Sequence, residues 1–277
     1  MKLLRPLRKG ICVVRDDASA FRHTEGDDVA LYKAEGIVLR TRNLGEADRI
    51  ITLYTREQGK VDCVARGSRR ARSRLMGGTQ LFTHGRYMLF SGRSLDSLNN
   101  AEIKQSFAKL REDLVKLGYA SYLAELLDVA TEPGEPSEDI FHMILDAFLG
   151  LERDVTPGTV ARWFEFRLMA LLGYEPELEQ CVACGGSVAG EVRFSSKEGG
   201  LLCSECVGRD RSAIALRRST VELLKHFVSM EGTRLGIVRP SHGDLALLEE
   251  VGRSFVDERL PRPLKSLGFL SSIRDLA

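Results

Sequence analysis

Four cysteines carry the sharpest chemical signal in the chain: Cys181-Val182-Ala183-Cys184 and, after 18 residues, Cys203-Ser204-Glu205-Cys206. Each CxxC pair forms a turn that presents two thiolates to one side of a tetrahedron, and two such pairs complete a four-sulfur shell suited to zinc. Gly185-Gly186 lets the chain turn beneath the first pair, and Glu191 to Ser196 with Gly199-Gly200 reads as a hairpin between the pairs, giving a zinc ribbon at about residues 178–210. A closed shell of four thiolates leaves no position for water or substrate, so a single Zn2+ here is expected to be structural. Two disulfides, a redox CxxC, an unmetallated thiol cluster and an iron–sulfur cluster could use the same residues. A reducing compartment disfavours the first and the lack of a thioredoxin-like unit the second, whereas spacing alone does not separate iron–sulfur from zinc. Cys12 and Cys63 read as ordinary unpaired thiols.

The second signal is Arg66-Gly67-Ser68-Arg69-Arg70-Ala71-Arg72-Ser73-Arg74, five arginines in nine residues. A loop of this charge, with Gly and Ser to let it conform, can lie along phosphates and release their counterions. Arg40, Arg42 and Lys60 come from neighbouring strands, so the expected DNA-binding set is Arg40, Arg42, Lys60, Arg66, Arg69, Arg70, Arg72 and Arg74. Tyr54, Phe82, Tyr87 and Phe90 are candidate base-stacking platforms, weighed against a plain core role. Catalytic residues are not expected. No phosphate-cradling G-x-x-x-x-G-K-[ST] is present, since Gly59-Lys60 is followed by Val61, and the five histidines are scattered.

The elements that must position these residues follow from pattern and charge. The 277 residues carry a net charge of only +1, yet residues 31–100 hold 13 Lys/Arg against 6 Asp/Glu and residues 101–277 hold 21 against 28. A front unit that faces a polyanion and a rear unit that does something else is the reading this asymmetry suggests. Short strand-like runs at Ala34 to Thr41, Arg49 to Thr55, Lys60 to Ala65, Gln80 to Phe82 and Tyr87 to Phe90, with one more near Leu95 to Leu98, suit a small OB-like barrel. From Ala101 the period becomes helical, with Phe107, Leu110, Leu114 and Leu117 on one stripe. Further helices are predicted from Ser137, from Thr156-Pro157 to Gly173, over Ser219 to Met230 and over Gly243 to Leu260. The expected architecture is α+β and multidomain: a mobile extension over 1–30, an N-terminal OB-fold over 31–105, and an α-helical domain over 106–277 into which the zinc ribbon is inserted. No run is long enough to span a membrane, and a cytoplasmic protein is expected.

Gly36-Ile37-Val38-Leu39-Arg40-Thr41, Gly45-Glu46-Ala47-Asp48-Arg49, Thr55, Gly59-Lys60 and Gly67-Ser68-Arg69-Arg70 occur in one order, followed by Leu171-Leu172-Gly173-Tyr174-Glu175-Pro176 and Leu264-Lys265-Ser266-Leu267. In these residues the chain resembles the bacterial recombination mediator family RecO, over about residues 31–270. The resemblance implies a DNA repair and recombination mediator, not an enzyme. Such proteins bind single- and double-stranded DNA, anneal complementary strands, pair with RecR and contact the acidic C-terminal tail of single-stranded DNA-binding protein. They help load RecA, and their place is at the nucleoid. Two other classes share parts of the pattern: a zinc-ribbon nucleic-acid-binding regulator and a protein-only adaptor.

Overall fold

The structure, a computed structural model, describes residues 30–153, 155–188 and 190–274. The expected extension and Cys12 lie outside the described residues, apart from Ala30. Alternating apolar residues build Leu31–Leu44 (β1), Asp48–Thr55 (β2), Gly59–Ala65 (β3), His84–Phe90 (β4) and Asp96–Gln105 (β5). These close a barrel in the order β1-β2-β3-β5-β4, with β3 and β5 parallel and the other pairs antiparallel. Val38, Ile51, Leu53, Cys63, Tyr87 and Leu89 fill it. This is the five-stranded OB-like barrel that the strand spacing predicts.

Two expected elements differ. Gln80 to Phe82 is a turn and not a strand: Phe82 holds a left-handed φ of 70°, and it meets β1 only at Val38, just beyond the last β1–β4 pair, Ile37 with His84. That conformation costs energy for a bulky residue, and packing offsets it, because the ring leaves the barrel to meet Phe148 at 5.1 Å. Residues 101–105, expected to begin a helix, continue β5, where they pair with His84 to Tyr87 of β4.

The stripe expected at Phe107, Leu110, Leu114 and Leu117 is broken by Asp113. Its backbone leaves helical geometry, and its carboxylate accepts hydrogen bonds from the N–H groups of Val115 at 2.9 Å and Lys116 at 3.0 Å. One helix therefore becomes two, Ala108–Glu112 (α1) and Leu114–Ala130 (α2), and Leu114 faces solvent. Glu138–Glu152 (α3) starts at the Ser137 cap, and Pro157–Leu171 (α4) is followed by Gly173 in the left-handed conformation. Val192–Ser195 (β6), Gly200–Leu202 (β7) and Ile214–Leu216 (β8) form a three-stranded sheet, and Arg218–Ser229 (α5), His242–Asp257 (α6) and Ser266–Arg274 (α7) complete the helical unit. Neither β8 nor α7 was expected.

The barrel and the helices share a core. Ile37, Leu39, Tyr54 and Phe82 belong to the apolar cluster of the helical unit, and Phe148 receives both Phe82 and Phe107. Leu39 reaches that core because it is the bulged residue of β1, lying between the pairs Val38 with Leu53 and Arg40 with Thr52. Tyr54, Phe82 and Tyr87 are buried, so they are core and not base-stacking platforms; Phe90 is half-buried.

Candidate nucleic-acid interface and metal centre

The arginine segment between β3 and β4 is a run of consecutive turns and not an open loop. Arg70 N–H donates to Gly67 O at 3.1 Å and Ser73 N–H to Arg70 O at 2.9 Å. Ser68 is buried beneath it, while Arg66, Arg69, Arg70, Arg72 and Arg74 are exposed. Among the described residues none of these five forms an ion pair. Arg42, near the end of β1, is exposed as well. Five adjacent guanidinium groups without carboxylate partners repel one another, and a polyanion relieves that repulsion.

The other two candidates are engaged differently. The Lys60 ammonium donates to Asp128 O and Thr131 O, both at 2.5 Å, where α2 ends with orphaned carbonyls, and lies 3.5 Å from the Asp128 carboxylate. Arg40 pairs with the same carboxylate at 3.5 Å and donates to Thr52 Oγ1. Asp128 thus gathers two barrel cations and ties β1 and β3 to α2. Nearby, Gly59 lies so close to Glu135 that an added Cβ would stand 2.4 Å from its carbonyl oxygen. Lys60→Met is therefore expected to lower stability by roughly 2 kcal/mol, through loss of charge-assisted bonds to buried acceptors, and to leave the salt dependence of DNA binding unchanged. Denaturant unfolding and a salt titration on the same variant check both.

The four cysteines converge. Cys181 and Cys203 are buried, Cys206 is half-buried and Cys184 exposed, and their sulfurs all lie within 4.8 Å of one another, with Cys184 and Cys203 at 3.9 Å. Sulfurs placed about 2.3 Å from a central zinc ion stand about 3.8 Å apart, so the cluster has the size of a metal shell. None of the four is in a disulfide. Burial opposes ionisation of Cys181, but the N–H groups of Cys203, Ala183 and Cys184 aimed at its sulfur outweigh it and draw the thiol down to about 6. Cys206, beside Cys184 and Cys203, is pushed up to about 12. One thiolate thus hinders the next, a conflict that a divalent cation removes. The residues fit a metal, and they would hold it where the two CxxC turns face each other.

A cleft about 440 Å³ in volume opens between α2, α4, α6 and α7, lined by apolar residues such as Tyr119, Leu245 and Leu270, with Arg162, His242 and Glu249 also in its wall. Arg162 is buried and binds Glu165 at 2.5 Å, yet its Nε and Nη1 have no partner among the described residues. Burial raises the Glu165 carboxyl to about 7 against the opposing pull of Arg162. Trp163, on the same helix, is core, its indole N–H donating to Met230 O at 3.0 Å.

Residues 29–107 match the family profile described as Recombination protein O N terminal, and residues 111–268 match Recombination protein O C terminal. The chain belongs to the RecO family. It is 41% identical over 250 residues to the DNA repair protein RecO of Symbiobacterium thermophilum, covering 89% of this chain and 99% of that one. The RecO of Pelotomaculum thermopropionicum is 40% identical over 240 residues, 87% of this chain and 93% of the relative. That of Halalkalibacterium halodurans is 36% identical over 245 residues, 88% and 96%. Both family profiles fall on the architecture above, the first on the barrel and the second on the helical unit with its cysteines. Among the described residues no helix is long and apolar enough to cross a membrane.

Sequence reasoning missed Asp128 as the acceptor that engages Lys60 and Arg40, because its helix gives no sign of facing a barrel strand. It also left the Gly45 to Arg49 motif without a role, although the motif itself was visible.

Proposed function

We propose that this RecO-family chain works as a recombination mediator without bond-making chemistry. It binds single- and double-stranded DNA through phosphates, anneals complementary strands and, with RecR, helps load RecA onto DNA coated by single-strand binding protein. The carrying observation is the cluster of exposed arginines without ion-pair partners at one end of the barrel. Annealing is opposed by the repulsion of two phosphate backbones, and a fixed array of guanidinium groups lowers that barrier without ATP. Arg42, Arg66, Arg70, Arg72 and Arg74 are the phosphate contacts; Lys60 and Arg40 serve chiefly to hold the domains together. The shell of Cys181, Cys184, Cys203 and Cys206 holds one structural zinc.

The acidic tail of single-strand binding protein needs a site with local cationic and apolar character within a helical unit of negative net charge. The cleft at Arg162 supports that reading, since a buried guanidinium with unpartnered nitrogens in a largely apolar wall favours a carboxylate on an apolar stem, against the opposing charge of Glu249 in the same wall.

The deciding experiment is the annealing of complementary oligonucleotides coated with the cognate single-strand binding protein. Acceleration without nucleotide, equal across sequences, is the expected result. Binding confined to one sequence would indicate a regulator, and no affinity for DNA at low salt would indicate an adaptor.

A further inference from the structure

The segment Gly45-Glu46-Ala47-Asp48-Arg49 carries no cationic cluster, yet the arginine turns hang on it. Gly45 opens the turn between β1 and β2 with a φ of 59°, which glycine adopts without strain. The Asp48 carboxylate accepts a hydrogen bond from Gly67 N–H at 2.7 Å, a span of nineteen residues. Ala47 O accepts from Arg69 N–H at 2.9 Å, and Gly45 O accepts from the Arg69 guanidinium at 2.8 Å. At the far end of the segment the Arg49 guanidinium donates to Thr79 Oγ1 at 3.2 Å. Gly45, Ala47 and Asp48 are thus bonded to the arginine segment at Gly67 and Arg69, and Arg49 is bonded to the short 3-10 helix that follows it.

We propose that Asp48 is a positioning residue for DNA binding: with Gly45, Ala47 and Arg49 it forms a bracket that holds the arginine turns in their phosphate-binding arrangement before DNA arrives. Arg69 belongs to this bracket and is not chiefly a phosphate contact. The inference rests on the DNA-binding reading of the arginine segment and extends it to residues that carry no contact themselves.

Two physical effects act on Asp48 with opposite signs. Long-range charge favours its removal, because a carboxylate beside a phosphate site repels the ligand. Preorganisation favours its retention, because a segment of five like charges without an anchor would have to be ordered on binding, at a cost in affinity. The charge-assisted bond to Gly67 is short, whereas the repulsion acts through solvent and is screened over about 8 Å at physiological ionic strength. Preorganisation therefore wins.

The full-length chain with Asp48→Ala and Asp48→Asn separates the two. Asparagine keeps the acceptor and loses the charge; alanine loses both. Asp48→Ala should bind a fluorescent oligothymidine roughly tenfold more weakly, with the salt slope of the wild type, because the same phosphates are neutralised once the segment is ordered. Its Gly67 and Arg69 amides should exchange faster with deuterium in the absence of DNA. Asp48→Asn should retain both the affinity and the amide protection. Equal or tighter binding by Asp48→Ala overturns the proposal, as does equal weakening by both variants. Alanine at Arg66, Arg70, Arg72 and Arg74 with an unchanged salt slope would overturn the DNA reading instead, and amide protection lost only in Asp48→Ala would still support the bracket.

Discussion

Glutamate at Arg66, Arg70, Arg72 and Arg74 together is expected to weaken binding to single-stranded DNA on the order of a thousandfold at moderate salt, at every sequence tested, and annealing should fall with it. Alanine at the same four positions is milder and more informative. At about 0.7 per phosphate contact, loss of four contacts should reduce the magnitude of the salt slope by about 2.8. Stability should stay within about 0.5 kcal/mol of wild type, because the four side chains are exposed and form no ion pair among the described residues. A different role, as glue between barrel and helices, predicts a large loss of stability with an unaltered slope. That role is filled by Lys60 and Arg40, which meet Asp128, and measuring both quantities on one variant separates the two.

The other large effect lies at the cysteines. Cys203→Ser should abolish stoichiometric metal binding and with it an apparent stabilisation on the order of 10 kcal/mol. The damage should spread beyond the shell. Phe194 of β6 packs against Phe255 of α6 at 5.5 Å, and Arg259 covers Phe255 at 3.6 Å while donating to Ser196 O at 3.0 Å. A loosened ribbon therefore exposes α6, and lower solubility and early cleavage by protease near residues 190–215 should follow. The salt slope of DNA binding should not change, since the arginine turns are on the barrel. Metal analysis of the wild-type protein at far below one equivalent, with the fold intact, would count against the assignment.

What could be read in the sequence was whatever depends on neighbours along the chain. The CxxC pairs, the caps at Ser137 and Gly173, the Pro157 start and the barrel strands each carry their signal within a few residues. What could not be read depends on distant partners. Helix α7 is started by Glu125, whose carboxylate accepts from the N–H groups of Lys265 at 3.1 Å and Ser266 at 2.7 Å, a cap that comes from another helix and leaves no local pattern. The prolines at 261 and 263 therefore looked like an end. Phe82 read as part of a strand because Leu81 and Phe82 form a short bulky apolar run, and its left-handed backbone answers to distant partners, Phe148 and Val38. Lys60 read as a DNA contact from its charge, and nothing local in the sequence shows that carbonyls at the end of α2 face it.

The shared core around Phe148 makes the molecule a ruler. Phe82 and Phe107 enter that core from the barrel side and from the junction into α1, and Leu39 joins it through its bulge. A rigid-body swing between the two units would have to pull these side chains out of close packing, so the spacing between the arginine turns and the Arg162 cleft is set by the fold and not by a tether. On the proposed reading, a peptide held in the cleft would stand at one fixed distance and angle from a strand held on the barrel. Adjustment would then fall to the DNA and not to the protein. The same packing means the chain cannot be cut into independent modules: a barrel freed from its helices would carry Ile37, Leu39, Tyr54 and Phe82 as a bare apolar face.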